Sequence, residues 1–154
     1  MGTTVVVAWI CGKDLLISHV GDSRAYLYQN NTLIQLTEDH SLVNELVKSG
    51  QITKEEADQH PRRNVLTRAL GTEEAIWIDH HSFKWEYGNM LLLCSDGLTN
   101  KVDFETMKNV IAKKSVLEEK ADELVDLALQ AGGDDNVSVI LLRNDTAMAR
   151  EEEK

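Results

Sequence analysis

Four short apolar runs, separated by polar turns, open the chain and restrict the folds that it can adopt. They cover residues 5–10, 15–20, 23–29 and 32–36 and are rich in β-branched and aromatic side chains. Strands joined by such short turns pair antiparallel, because a parallel pair needs a crossover of about a dozen residues. The pattern therefore predicts an antiparallel meander at the start of the chain rather than a βαβ alternation.

Helical periodicity follows these strands. Ser41, Thr53 and Asp103 are suited to cap predicted helices, and Glu56 completes a capping box with Thr53. Apolar residues between positions 121 and 128 indicate a further helix. Strands return at residues 76–83, 90–94 and 137–142. Together these elements predict one α+β domain.

The composition is that of a globular domain, and the charge limits the class of partner. Of the 154 residues, 42% are hydrophobic and 27% charged, and the net charge is −10. So acidic a chain is not suited to bind free nucleic acid or an anionic membrane surface. No apolar run reaches membrane-spanning length. Cys11 and Cys94 lie in apolar runs, which predicts buried free thiols and a reducing, cytoplasmic location.

Pairs of glycine and aspartate stand at the ends of three predicted strands. Gly21-Asp22 follows the second run, Asp96-Gly97 follows LLLC, and GGDDN, which contains Asp135, precedes the last strand. Strand ends of one sheet can converge, and convergent carboxylates repel each other unless a cation lies between them. Hard divalent ions prefer oxygen ligands and can activate water towards phosphorus, so the pattern is consistent with metal-assisted hydrolysis.

The same pairs have a simpler interpretation. Gly-Asp and Asp-Gly are common turn dipeptides, and strands usually end in turns. The spacing alone does not decide between a metal site and ordinary turn chemistry. Two neighbouring acids, Asp39 and Asp134, are assigned to turns or helix caps rather than to the site.

Six motifs, in order along the chain, resemble the later motifs of one enzyme family. They are MGTT, VGDSRAYL, LTEDHSLVNEL, HPRRNVLTRALG, LLLCSDGLTN and GGDDNVSVILL. The family is the bacterial metal-dependent protein phosphatases of the PP2C (PPM) type, and the resemblance extends from Met1 to about Leu142. It implies an α+β sandwich of two antiparallel β-sheets packed face to face and flanked by helices. It also implies a serine/threonine protein phosphatase that depends on Mn²⁺ or Mg²⁺.

The resemblance assigns metal ligands by position. The aspartate of the SDG motif is Asp96 and that of GDDN is Asp135, and both are expected to bind the two ions. Asp22, in GDSR, corresponds to an additional, weaker site for a third ion in bacterial members. Asn100 departs from the members that carry a further aspartate near that third ion. No catalytic side chain is assigned within this chain.

Residues 42–70 match the mobile flap that borders the active site in bacterial members. Arg62 and Arg63, in HPRRN, are expected to attract a phosphorylated, acidic substrate there, and Arg68 could join them. The alternative is that these arginines are solvated loop charges or pair with nearby glutamates. His40, in TEDHS, is expected to form structural hydrogen bonds at a helix entry.

The resemblance begins part-way through the family pattern. An early acidic strand, a basic residue that grips phosphate and a DGMGGH-like segment should precede MGTT, and the given sequence does not contain them. We therefore expect residues 1–145 to be the C-terminal portion of a phosphatase domain, followed by a charged tail at 146–154. We expect uncovered strand edges, association with a separate N-terminal piece, and little activity from the chain alone.

Two classes of function follow. The first is metal-dependent hydrolysis of phosphoserine and phosphothreonine in proteins, opposed by a cognate serine/threonine kinase. The alternative is a non-catalytic partner-binding or regulatory module derived from the same fold. The aspartates at the strand ends favour the enzyme, since a binding module has no need of carboxylates there.

Overall fold

The computed structural model describes residues 1–146, which form two antiparallel sheets and five helices. The strands are β1 (Val5–Cys11), β2 (Asp14–Val20), β3 (Arg24–Gln29), β4 (Thr32–Gln35), β5 (Asp79–Lys84), β6 (Met90–Cys94) and β7 (Val139–Arg143). The helices are α1 (Leu42–Lys48), α2 (Lys54–Asp58), α3 (Asp96–Thr99), α4 (Phe104–Ala112) and α5 (Leu117–Gln130). The predicted charged tail lies outside the described residues, apart from residue 146.

The two sheets pack face to face. One contains β1-β2-β5 and the other β4-β3-β6-β7, each in that order. Their interface is formed by Leu15 and Ile17 of β2 against Ala25 and Leu27 of β3 and Leu91 of β6. These positions alternate along each strand, as expected when one face of a strand is buried.

The helices cover the opposite face of the four-stranded sheet. Tyr26 and Leu92 point to this side and pack with Met107 of α4 and Leu124 of α5. The four-stranded sheet is therefore buried on both faces, and its strand ends are the part left free for chemistry. The outer face of the three-stranded sheet is bare by comparison, and it carries Trp9 at 67% exposure.

The predicted helix caps are confirmed. The Ser41 hydroxyl accepts from the Asn44 N–H, and Thr53 and Glu56 form the full capping box. The Asp103 carboxylate accepts from the N–H of Thr106 at the start of α4. In the described part of the chain, no helix has both the length and the apolar character that a membrane span requires.

The predicted meander is wrong at one link. β2 and β3 do not pair but lie in different sheets. The chain crosses between the sheets at Gly21, which is buried and has φ +105°. A Cβ at this position would lie 2.4 Å from the Thr4 methyl carbon, so glycine is required by the space as well as by the backbone angle.

Other expectations need smaller corrections. β5 begins at Asp79 rather than at residue 76, and Trp77 before it is 84% exposed. Likewise β7 begins at Val139 rather than at residue 137. Both cysteines are free as predicted, but Cys11 is exposed because it ends an edge strand, whereas Cys94 is buried.

Candidate metal centre

The strand register brings the three predicted aspartates to one end of the four-stranded sheet. Arg24 of β3 pairs with Cys94 of β6, and Asp22 and Asp96 lie two residues outside this antiparallel pair. Both therefore project beyond the same end of the sheet. Cys94 also pairs with the first residue of β7, so the loop that carries Asp135 arrives at that end as well.

Hydrogen bonds join the start of α3 to the loop before β7. The Ser95 N–H donates to the Ser138 carbonyl over 3.1 Å. The Ser138 N–H donates back to Ser95 Oγ over 3.0 Å. Ser95 Oγ itself donates to the Asn136 carbonyl at 3.3 Å. The backbones on either side of Asp96 and Asp135 are thus held together.

Gly97 allows this close approach. A Cβ at Gly97 would lie 2.2 Å from the Asn136 carbonyl oxygen, a distance that no side chain can occupy. The sequence pattern Asp96-Gly97 suggested a turn, but the structure has a short helix, α3, that begins at Asp96. The glycine is needed because the loop lies against it.

Two ion pairs border the cluster and involve the acids that the sequence assigned to turns or caps. Arg24 donates two hydrogen bonds to Asp39, at 2.8 and 2.7 Å. Lys101, just after α3, pairs with Asp134, and this hydrogen bond lowers the pKa of Asp134. Asp39 and Asp134 therefore already have cationic partners, whereas no ion pair within residues 1–146 includes Asp22, Asp96 or Asp135.

The electrostatics of the cluster fit a divalent cation. Burial raises the pKa of Asp22 to about 6, and the negative charges of Asp96 and Asp39 act in the same direction. Burial and the charge of Asp135 raise the pKa of Asp96. Carboxylates that disfavour each other's ionisation in this way are stabilised by a cation among them, and oxygen ligands suit Mn²⁺ and Mg²⁺.

A groove of about 810 Å³ runs from these carboxylates along the flap. Asp22 and Asp96 line it, as do residues of α1 and α2 on one side and of α4 on the other. Arg63 lines the groove too, with one hydrogen bond to the Asp58 carbonyl at 3.4 Å. Arg62 is exposed and does not line it. Arg68 is held by Asp79 at 2.9 Å.

A second cluster was not predicted from the sequence. His19, His40 and Asp79 are the one set of three His, Cys, Asp or Glu side chains in residues 1–146 whose ligand atoms lie within 4.8 Å of one another. Widely separated positions such as these leave no motif. The signal that could have revealed His19 is the alternation of β2, which puts it on the buried face with Leu15 and Ile17.

Hydrogen bonds already occupy most of this histidine cluster. His40 Nδ1 accepts from the Gly21 N–H at 3.0 Å, so its Nε2 carries the proton donated to Asp79 at 2.9 Å. His19 Nε2 donates to the Glu38 carbonyl at 2.8 Å, which leaves only its Nδ1 without a partner. A metal ion would have to displace these bonds. The aspartates, which as a set lie farther apart than 4.8 Å, better suit ions that keep part of their water.

Comparison with known proteins decides the family. The family model described as Protein phosphatase 2C matches residues 1–46. The chain is 50% identical over 142 residues to the serine/threonine phosphatase stp of Listeria welshimeri. This alignment covers 92% of this chain and 56% of that protein. The chain belongs to the PP2C family. The resemblance of its six motifs is thus confirmed, and the chain spans a little over half the length of this relative.

Solved structures confirm the PP2C sandwich. The serine/threonine phosphatase Stp1 from Staphylococcus aureus superposes with a TM-score of 0.89 at 43% identity, over 93% of this chain and 56% of that one. The catalytic domain of the serine/threonine protein phosphatase PstP, in complex with two manganese ions, superposes with a TM-score of 0.83 at 38% identity. That match covers 92% of this chain and 58% of that domain. The carboxylate cluster of this PP2C chain suits divalent metal ions.

Substituting Gly97→Ala should separate Asp96 from Asp135, because the added methyl group overlaps the Asn136 carbonyl. We expect at least about a tenfold loss of Mn²⁺ affinity, as for other changes that misplace ligands, measured by electron paramagnetic resonance of free Mn²⁺. Gly12→Ala is the control, since a Cβ there meets nothing within 4 Å. Equal Mn²⁺ affinities in the two variants would show that the close approach does not position the ligands.

Without divalent ions, Asp22 should destabilise the protein at neutral pH. Its pKa is raised from 3.8 to about 6 in the folded state, so stability falls as pH rises through that window. In chelator, Asp22→Asn should raise the melting temperature by a few degrees at pH 7.5, and this gain should disappear near pH 4. Asp126→Asn, on the exposed side of α5, should change little at either pH. A gain that is independent of pH would contradict the assignment.

Proposed function

We propose that the protein performs metal-dependent hydrolysis of phosphoserine and phosphothreonine in proteins. The observation that carries the proposal is the convergence of Asp22, Asp96 and Asp135 beside a groove, with raised pKa values at the first two. The names of its relatives as serine/threonine phosphatases support it. A non-catalytic module would gain nothing from carboxylates that repel one another.

In this proposal the aspartates hold the metal ions. Asp96 and Asp135 bind the two principal ions, and Asp22 contributes to a third. Divalent ions supply Lewis-acid chemistry here, neutralising phosphoryl charge and making water more acidic. Manganese is favoured over magnesium by the two manganese ions of the similar PstP. Gly97 and the Ser95–Ser138 hydrogen bonds keep the ligand-bearing segments at a fixed separation.

The groove receives the phosphorylated segment. Arg63 lies in its wall and can donate to a phosphoryl or acidic side chain. Arg62 would contact substrate from the exposed surface of the flap and contributes less. Arg24 lines the groove as well, but its two bonds to Asp39 leave it to support the site rather than to bind substrate.

The proposal implies partners. A protein substrate must first be phosphorylated, which requires a serine/threonine kinase acting in the same compartment. We assign that compartment to the cytoplasm, in keeping with two free cysteines, one of them exposed.

A further segment would complete the sandwich. β1 and β7 are edge strands, and apolar residues of their inward faces are partly exposed: Ile10 at 39%, Ile140 at 55% and Leu142 at 39%. These residues flank the opening between the two sheets. The part of the relatives that this chain does not match is large enough to cover them, and an N-terminal piece of such a domain is the proposed occupant.

The decisive experiment compares Mn²⁺-dependent hydrolysis of a phosphothreonine peptide by a supplemented chain, joined to the part of the Listeria welshimeri phosphatase that it does not match, and by residues 1–154 alone. We expect the former to be active and Asp96→Asn to lower kcat by at least about a hundredfold, because even outer-shell changes cost about 10- to 100-fold. Residues 1–154 alone should show little turnover.

Asp122→Asn, on the exposed face of α5, is the matched control. If Asp96→Asn were as active as Asp122→Asn, the metal assignment would be wrong. If the supplemented chain were inert with Mn²⁺ and with Mg²⁺ yet still bound phosphoproteins, the non-catalytic alternative would replace the proposal.

A further inference from the structure

His40 lies where the link between the two sheets meets the flap. Its backbone N–H donates to the Gly21 carbonyl at 3.0 Å, and its Nδ1 accepts from the Gly21 N–H at 3.0 Å. Gly21 immediately precedes Asp22. His40 is 4% exposed, and no solvent competes for these bonds.

The residue before His40 fixes the other side of Asp22. Asp39 holds Arg24 through two hydrogen bonds, and Arg24 lies two residues after Asp22. His40 therefore fastens the backbone just before Asp22, and Asp39 holds the side chain of Arg24 just after it. The position of that carboxylate depends on where this dipeptide sits.

The same dipeptide begins the flap. The His40 carbonyl accepts from the Thr67 N–H at 2.9 Å, and the Leu42 N–H donates to the Val65 carbonyl at 2.9 Å. Ser41 and Leu66 form a bridge between these two contacts. We call residues 40–42 and 65–67 the flap base. The part of the flap between these two segments carries α1 and α2, which form one wall of the groove.

Asp79 links the two segments of the flap base through hydrogen bonds from His40 and Arg68. His40 Nε2 donates to one Asp79 oxygen at 2.9 Å, and Arg68, just after the flap base, donates to the other at 2.9 Å. Burial alone would raise the pKa of Asp79, but these hydrogen bonds lower it to about 2, so the carboxylate stays ionised. The His19 ring stacks on His40 at 4.5 Å and prevents the imidazole from turning away.

We propose that His40 is a positioning residue that couples the flap to the Asp22 carboxylate: its Nδ1 side fixes Gly21, and its Nε2 side fixes the flap base through Asp79 and Arg68. The inference rests on the proposed function, because it concerns how a phosphorylated segment in the groove meets the metal ions. A single imidazole serves both sides, since one ring offers an acceptor and a donor in opposite directions.

Two substitutions of His40 remove its two hydrogen bonds one at a time. In His40→Asn the amide oxygen can replace Nδ1 towards Gly21, but nothing reaches Asp79. In His40→Gln the amide can reach Asp79, but the acceptor for the Gly21 N–H is lost. The coupling therefore predicts that His40→Asn disturbs the flap base and His40→Gln disturbs the Asp22 segment, although the two amides differ by only one methylene.

The test uses the supplemented chain and four readouts: Mn²⁺ binding, KM for two substrates, and hydrogen exchange. His40→Asn should bind Mn²⁺ within about twofold of the wild type but raise KM for a phosphothreonine peptide about tenfold, as expected for one lost hydrogen bond to a charged group. Its KM for p-nitrophenyl phosphate, which is too small to span the groove, should not change. Hydrogen exchange should accelerate at the Leu42 and Thr67 amides. His40→Gln should instead weaken Mn²⁺ binding at the third, Asp22-dependent site about tenfold.

Controls keep the outcomes separate. His81→Asn and His81→Gln alter an exposed histidine of β5 and should leave every readout unchanged. Asp79→Asn keeps the Gly21 bonds and weakens the hold on Arg68, so it should behave like His40→Asn even if the His40 variants fail to fold. Identical effects of His40→Asn and His40→Gln, or none, would overturn the proposal. Because Mn²⁺ binding and hydrogen exchange need no turnover, an inactive enzyme would refute the proposed function and leave this coupling still tested.

Discussion

Repulsion among carboxylates at one sheet end is the constraint around which this structure is organised. Asp22 and Asp96 are partly buried, and each has a raised pKa because burial and neighbouring acids disfavour its charge. Hydrogen bonds of Ser95 and the close contact at Gly97 hold the backbone beside Asp96 against the loop that carries Asp135. The nearby Asp39 and Asp134 form ion pairs with Arg24 and Lys101. Asp22, Asp96 and Asp135 have no such partner within residues 1–146. Carboxylates that are held together in this way suit a divalent cation.

The layers of the fold explain why the site lies where it does. The four-stranded sheet is covered by the second sheet on one face and by α4 and α5 on the other. Its strand ends are the remaining accessible part, and the register of β3, β6 and β7 brings their acidic loops to the same end. The flap adds one wall of a groove beside that end and is tied to it through His40. Paired strands thus set the positions of the acidic side chains, and a separate segment that carries α1 and α2 forms one wall of the groove beside them.

Local patterns predicted much of this arrangement, and long-range contacts supplied the rest. The strands of the first hairpins, the caps at Ser41, Thr53 and Asp103, and the three strand-end aspartates could be identified because alternation, capping and turn residues act within a few positions. The change of sheet at Gly21 could not be seen, because it depends on the Thr4 methyl group. Nor could the histidine cluster, since Asp79 lies 39 residues from His40. The short helix that begins at Asp96 was also missed. Gly97 suggested a turn, but it is required because Asn136, 39 residues away, packs directly against it.

Carbon-13 NMR of the aspartate carboxyl groups during a Mg²⁺ titration tests the central claim most directly. Magnesium is diamagnetic, so each side chain that binds it can be followed individually. We expect the carboxyl signals of Asp96 and Asp135 to shift together as Mg²⁺ is added, and the signal of Asp22 to shift at higher Mg²⁺ concentration. The signals of Asp39 and Asp134 should not shift, because these carboxylates stay paired with Arg24 and Lys101. If the first three signals remained fixed while the imidazole nitrogens of His19 and His40, followed by nitrogen-15 NMR, shifted, the metal ions would bind to the histidine cluster and not to the aspartates.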